Sequence, residues 1–238
     1  MSPEREYRFL LRRAEAAALL DLAAQHLQAV TYDRVRPVAY ARTTYFDTAE
    51  GTYFRSTLEG PTRRRVRVRE YAAGATTEDV PCFTGACFFE RKESTGSART
   101  KQRVAADAAR IAELAAAERL RACLTTWYRR VTFAAADARV RLTMDEGISY
   151  ARPATVPGTA GQPVPTLDLV EYGPSRVIEV KVVGEAPAWL AAVLDVLPAD
   201  PDYSKFRMGM RALRSGRSPV GRATEPLEIA TIPEVACK

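Results

Sequence analysis

The stretch Arg65-Val66-Arg67-Val68-Arg69 places cations at odd positions and valines at even ones. Successive side chains of an extended segment point to opposite faces, so this run puts three guanidinium groups on one face and two apolar groups on the other. The arrangement recurs. Arg139-Val140-Arg141-Leu142-Thr143-Met144-Asp145 and Ile178-Glu179-Val180-Lys181-Val182 alternate in the same sense. Glu4, Glu6 and Arg8 align on one face of residues 4–11, Glu90 aligns with Lys92, and Lys101 with Arg103. An ordinary half-buried sheet turns a mixture of Thr, Ser, Gln and both charges to water. Rows of like charge on neighbouring strands are destabilising unless something anionic lies among them. A barrel wall turned outside in accounts for the pattern: the apolar face packs against helices and the charged face lines a tunnel. In such a space guanidinium groups bind phosphate oxygens strongly, and interleaved carboxylates supply oxygen ligands for Mg²⁺ or Mn²⁺.

Outward from that stretch, period-two segments also predict strands at residues 38–47, 63–71, 87–93, 101–104, 126–133, 139–145 and 176–183. Helical spacing predicts an amphipathic helix over 15–30, with Leu19, Leu22, Ala23, His26, Leu27 and Val30 near one stripe. An Ala- and Leu-rich helix is expected over 107–124, another over 187–197 and a last one over 204–214. Residues 151–175, rich in Pro, Gly and Thr, read as a long connection. Many strands, few helices and no alternation of the two imply an α+β chain. The expected fold is an antiparallel barrel with helices packed outside it and capping it at the C-terminal end. One domain is expected over 1–216, followed by an irregular tail over 217–238.

Composition narrows the chemistry. The 238 residues carry a net charge of +6 from 35 basic and 29 acidic side chains, which favours an anionic partner. Cys82, Cys87, Cys123 and Cys237 lie too far apart for paired CxxC spacing, so reduced thiols rather than a structural zinc are expected. Charges flank the short apolar run near the N-terminus, which excludes a secretory signal in this stretch, and no apolar segment approaches a bilayer-spanning length. A cytoplasmic location is expected. The lone histidine, His26, falls in a helical pattern and reads as a surface or packing residue, so histidine acid–base chemistry has no support. Trp127 and Trp189 read as packing anchors, and Met208 and Met210 as core or cap packing. Asp47 and Asp145, each closing a predicted strand, read as turn formers. Tyr53-Phe54-Arg55 offers little of the stacking stripe that nucleic-acid binding needs, and TYF reads as strand packing; no nucleic-acid partner is expected.

Taken in order, EREYRFLL, TTYFDT, RVRVREY, FFERKEST, YRRVTF, RVRLTMD, VIEVKV and YSKFRMG resemble the VTC domain. That domain is the polyphosphate polymerase module of the vacuolar transporter chaperone complex and its bacterial relatives, grouped with the CYTH proteins among the triphosphate tunnel metalloenzymes. The resemblance runs from about Glu4 to Arg214. It implies a tunnel of about eight antiparallel strands, ATP as phosphoryl donor and a divalent metal, Mn²⁺ or Mg²⁺. Arg8 falls where the family's first strand carries a basic residue. Arg67 and Arg69 match an RxR pair, Lys92 the lysine of ERK, Arg130 the arginine of YxR and Arg141 the second arginine of RVRL. Glu179 and Lys181 match an ExK pair whose glutamate holds metal, and Lys205 the lysine of SKY, here SKF.

The function implied is transfer of the ATP γ-phosphate to a growing polyphosphate chain. Arg67, Arg69, Lys92, Arg130, Arg141 and Lys205 would clasp the triphosphate. Arg8, Arg65, Lys101, Arg103, Tyr128, Arg139 and Lys181 would bind further phosphate, and Glu179 would hold metal with help from Glu6 or Glu90. A tunnel open at both ends would let product thread away, and coupled export would require a separate membrane protein. Two other readings stay open on the same barrel: a triphosphate hydrolase or nucleotide cyclase, and a polyphosphate- or nucleotide-binding module without catalysis.

Overall fold

The computed structural model describes residues 4–32, 35–59, 62–73, 81, 83–96, 98–153, 157, 169–173 and 176–215. Its elements run β1 (Glu4–Leu11), α1 (Arg13–His26), β2 (Gln28–Ala29), β3 (Val38–Asp47), α2 (Thr52–Ser56), β4 (Thr62–Ala73), β5 (Cys87–Thr95) and β6 (Ala98–Ala106). They continue as α3 (Ala108–Ala117), β7 (Arg121–Ala134), β8 (Val140–Ala151), β9 (Leu169–Gly173), β10 (Arg176–Val183), α4 (Ala188–Val196) and α5 (Lys205–Ser215). Eight strands form one curled antiparallel sheet in the order β1-β10-β8-β7-β3-β4-β5-β6. β2 adds to β7, and β9 to β8.

Register shows that the alternation is shared. Arg67 lies opposite Glu90 and Tyr45, Glu90 opposite Arg103, Arg65 opposite Lys92, and Lys92 opposite Lys101. On the other side Arg130 faces Asp145, Thr143 faces Glu179, Arg141 faces Lys181, Glu179 faces Arg8 and Lys181 faces Glu6. Directly paired residues share a face, so these charged positions of β1, β4, β5, β6, β7, β8 and β10 occupy one side of the sheet. That side is the concave one.

The convex side is mainly apolar and covered, with the buried Arg42–Glu70 ion pair among its side chains. Phe9, Leu11, Val140, Leu142, Ile178, Val180 and Val182 pack with Ala16, Leu19 and Ala23 of α1 and Leu190 of α4. Val66, Val68 and Phe89 pack with Ile111 and Ala115 of α3. Each fully buried aliphatic side chain contributes about 1.5–3 kcal/mol. This layer holds the curl against repulsion on the concave side.

Several element boundaries differ from expectation. α1 starts with Arg12 N–H donating to the Glu15 carboxylate at 2.8 Å and ends at His26, four residues early. Leu27 is already extended, and Gln28 and Ala29 pair with β7, so strand pairing outcompetes the helical pattern of 15–30. α3 ends at Ala117 instead of continuing to 124. Arg119 turns the chain at φ 55, and residues from Arg121 belong to β7. Tyr53 and Phe54 are buried in α2 rather than in a strand. Asp47 makes that helix, accepting from the N–H groups of Tyr53 (2.8 Å) and Phe54 (2.9 Å), which agrees with its reading as a turn former. The connection 151–175 falls largely outside the described residues, although its end forms β9. Cys82, Cys237 and the tail 217–238 lie outside them as well.

α5 lies against the concave face, where Phe206 and Met210 pack with Tyr45, Leu124, Tyr150, Tyr203 and Val177. Phe206 stacks on Tyr45 with ring centroids 5.0 Å apart. The interior is therefore occupied in part by α5. At Gly209 an added Cβ would come within 2.6 Å of Tyr150 and 2.7 Å of Leu124. Gly209→Ala gains helix propensity of about 1 kcal/mol but overpacks the contact by about 1–3 kcal/mol. Urea unfolding should show a net loss of stability; an increase would mean α5 does not sit there.

Candidate phosphate-binding interior

Three kinds of cation meet on the concave face. The first kind is neutralised from within. Arg67 donates from Nε to Glu90 at 2.8 Å, and its second nitrogen lies 2.7 Å from the same oxygen. Arg130 grips Asp145 with two hydrogen bonds of 2.5 and 2.7 Å, and Lys205, at the start of α5, donates to the same carboxylate at 2.6 Å. Burial alone would raise the pKa of Glu90, but Arg67 and Arg69 outweigh it and hold it down to about 2. Burial opposes ionisation of Asp145 too, yet Arg130 and Lys205 keep it well below the usual carboxylate range. Both acids are permanent anions that fix cationic side chains in place.

The second kind has no acid of its own. Arg65 and Lys92 make no ion pair among the described residues, and Arg69 donates only to the Tyr71 hydroxyl at 3.0 Å while its Nε is buried without a partner. Burial, followed by Arg67 and Arg65, depresses Lys92 to about 7, against the opposing pull of Glu179. The Tyr128 hydroxyl lies 3.5 Å from Thr43 Oγ1, and Lys205 Nζ sits 4.9 Å over its ring. Burial would raise the pKa of Tyr128, but Arg69 and Arg130 bring it down. This centre has more positive charge than its carboxylates neutralise.

The third kind lines the β1–β10 wall, with every cation engaged. Arg8 contacts Glu6, lies 3.6 Å from Glu179, and donates to the carbonyls of Tyr203 (3.1 Å) and Pro201 (3.2 Å). It anchors the segment entering α5. Lys181 pairs with Glu4 at 2.8 Å and Glu6 at 3.4 Å. Burial pushes Glu6 upward, but Arg8 and Lys181 leave it lowered overall.

Of the residues expected to bind phosphate, Arg65, Arg67, Arg69, Lys92, Arg130, Tyr128 and Lys205 come together. Arg141 shares their face but is exposed at the rim. Lys101 and Arg103 lie on the edge strand β6, with side chains 48% and 42% exposed. Arg139 does not join. It precedes β8, is 69% exposed and pairs with Asp137 in the hairpin turn at 2.6 Å. Asp145 lies inside its strand rather than closing it. β8 runs on to Ala151 through a bulge where Gly147 takes φ 59, which brings Ile148 and Tyr150 onto the concave face. The signal that could have found Asp145 was its parity with Arg141.

Among the described residues no three His, Cys, Asp or Glu side chains gather as a ready-made metal cage. Glu90 is sealed by Arg67, Lys101 and Arg103, so it serves those cations. Glu6 and Glu179 touch the same Arg8 guanidinium. Two adjacent carboxylates facing a cation-rich centre are oxygen donors of the kind a hard divalent ion takes.

The VTC domain family model matches residues 4–116 and 105–214. The chain belongs to the VTC domain family. No curated protein matches its sequence. Among solved structures, the PH1819 protein of Pyrococcus horikoshii is similar at 10% identity, covering 87% of this chain and 97% of its own, with a TM-score of 0.49. A putative adenylyl cyclase from Hippeastrum, described as having a dominant triphosphatase activity, is similar at 15% identity over 96% of this chain and 99% of its own, TM-score 0.45. A putative adenylate cyclase from Bacillus halodurans is similar at 11% identity over 93% and 94%, TM-score 0.42. No helix among the described residues of this VTC domain is long and apolar enough to cross a membrane.

Burial of Lys92 makes the stability of the fold depend on pH. An unfolded lysine titrates at 10.5 and the folded one at about 7. The unfolded chain therefore binds more protons between these values, and the cost of burying Lys92 is full below pH 7 and fades as pH rises toward 10.5. A bound polyanion favours the charged amine, so triphosphate binding at pH 8 should take up protons. Calorimetry in buffers of different ionisation enthalpy should detect this uptake, and Lys92→Met should remove it. Equal heats in all buffers for the wild type would contradict the shift.

Proposed function

We propose that this VTC domain is a metal-dependent polyphosphate polymerase that transfers the γ-phosphate of ATP to the end of an inorganic polyphosphate chain. The main support is the surplus of half-buried positive charge at Arg65, Arg69 and Lys92, beside Arg67, Arg130 and Lys205 held in place by Glu90 and Asp145. Such a surplus favours an anion of several charges among the side chains. A triphosphate offers that charge in a linear form. Family membership favours the same ligand class.

In this reading the triphosphate lies between the β4–β5 cations and the Arg130–Lys205 pair. Lys92 becomes fully charged as it meets phosphate. Arg67, Arg130 and Lys205, already oriented by buried carboxylates, meet developing negative charge without reorganising. Glu6 and Glu179 would hold a divalent ion, whose positive charge would offset that of the phosphate groups. The terminal oxygen of the chain forms a new P–O bond to the γ-phosphorus while the bond to the β–γ bridging oxygen breaks, and ADP leaves. That terminal phosphate is already anionic, so no side chain has to remove a proton. The protein aligns the groups and stabilises charge.

One observation favours a second reading, hydrolysis of a short triphosphate. α5 fills part of the interior, and a narrowed interior suits a substrate that need not thread through. Purified protein with ATP and Mn²⁺ separates the two: a ladder of polymer supports the polymerase, and orthophosphate alone the hydrolase. Arg69→Met and Lys92→Met should each lower kcat/KM about 10²-fold or more. Glu179→Gln should abolish turnover while leaving polyphosphate affinity largely intact. Tight polyphosphate binding by the wild type without any turnover would mean a binding module.

A further inference from the structure

Between α2 and the end of α3, the covering of the convex side leaves a cavity of about 310 Å³. It lies on the sheet face opposite the phosphate-binding interior. Val66 forms part of its floor, and Arg64, Arg91, Glu93, Thr100 and Gln102 have the parity of Val66 in the ladders of β4, β5 and β6. Arg65 and Lys92 border it, but by the same parity their side chains belong to the concave face. Arg64, Glu93 and Thr100 form one row across the three strands, and Val66, Arg91 and Gln102 the next. The rows stand about 6.8 Å apart. Each row holds one ion pair. Arg64 lies 3.2 Å from Glu93, and Arg91 contacts Glu118, the residue that ends α3. Two cations and two carboxylates leave no net charge, so a polyanion gains little here, in contrast to the interior. Arg91 keeps donor capacity, because its Nε has no hydrogen-bond partner. The carboxylate side chains of Glu93 and Glu118 remain 40% and 30% exposed.

We propose that this outer cavity binds a small zwitterion, a free amino acid with an uncharged polar side chain. Its carboxylate meets Arg91, and its ammonium meets Glu93, which presents the opposite charge two residues along the same strand. The choice of class follows from the ion pairs. A ligand with a single charge competes for one member of a pair and leaves the other short of a partner, whereas a zwitterion supplies a replacement for both. The rest of the wall is uncharged: Thr100 and Gln102 offer hydrogen bonds to a polar side chain, and Tyr53 of α2 and Val66 offer apolar surface. The cavity is at the small end of ligand sites, which suits a molecule of this size. None of these side chains belongs to the phosphate-binding interior, so the site stands whether the interior holds a polymer or a short triphosphate.

L-Glutamine is the probe, with acetate and methylammonium as single-charge controls and inorganic triphosphate as competitor. Saturation-transfer NMR on the wild type should show glutamine binding in the millimolar range, weaker binding of both controls, and no displacement by triphosphate. Arg91→Gln with Glu118→Gln removes one ion pair without changing net charge and should weaken glutamine binding about tenfold or more. Thr100→Trp, on the exposed edge strand, fills the cavity with every charge in place and should weaken it at least as much. Triphosphate binding, measured in the same samples, should be unchanged in both variants, which shows that each is folded. No glutamine binding by the wild type overturns the proposal and leaves the ion pairs as surface structure. Acetate or methylammonium binding as tightly as glutamine overturns the zwitterion class. Displacement of glutamine by triphosphate overturns the outer site, since the probe would then lie in the interior. Retention of glutamine binding by either variant overturns it as well.

Discussion

Mutual repulsion among the cations of β4, β5, β7 and α5 is the constraint around which this chain is organised. Each positive side chain would be at lower energy in water, yet the sheet turns them toward one another. Burial of the opposite face supplies the compensation. Val66, Val68, Leu142, Ile178 and Val180 are almost completely buried under helices, so reversing the sheet would expose them all and bury every charge against α1 and α3. A one-residue slip of any strand has the same penalty locally.

Within the interior, charge is partitioned rather than cancelled. Glu90 and Asp145 each hold more than one cation and stay ionised, which makes the Arg67 and Arg130 sites rigid. Lys92, Arg65 and Arg69 are left in excess, and Lys92 is held near its titration point. The same face also carries an apolar region where α5 docks through Phe206 and Met210, with Lys205 passing from that helix into the charged centre. Asp145 therefore joins the β7–β8 wall to α5, and occupancy of the centre and seating of the helix share one carboxylate.

Much of this was legible in the sequence because a strand's period of two is rigid: once Arg67 is assigned to a face, Val66 and Val68 follow, and six segments agreed. What escaped notice did so for local reasons. Gly147 carries β8 past the apparent end of its pattern at Asp145, so a buried anchor looked like a turn residue. Arg119, not a glycine, breaks α3 in the left-handed region, so the Ala-rich run seemed to continue as helix. Arg139 had the right parity and the wrong place, since alternation assigns a face but not how far a strand extends. Docking of α5 on the concave rather than the convex side depends on Tyr45, Leu124 and Tyr150, which lie far apart in the chain. No local pattern announces them.

The most direct test is a crystal structure of the protein with inorganic triphosphate. The account predicts phosphate oxygens within hydrogen-bonding distance, about 3 Å, of Arg69 and Lys92, with Arg67 and Arg130 still bound to Glu90 and Asp145. Triphosphate seated on the convex face, or Arg67 and Arg69 pointing away from a shared interior, would contradict it.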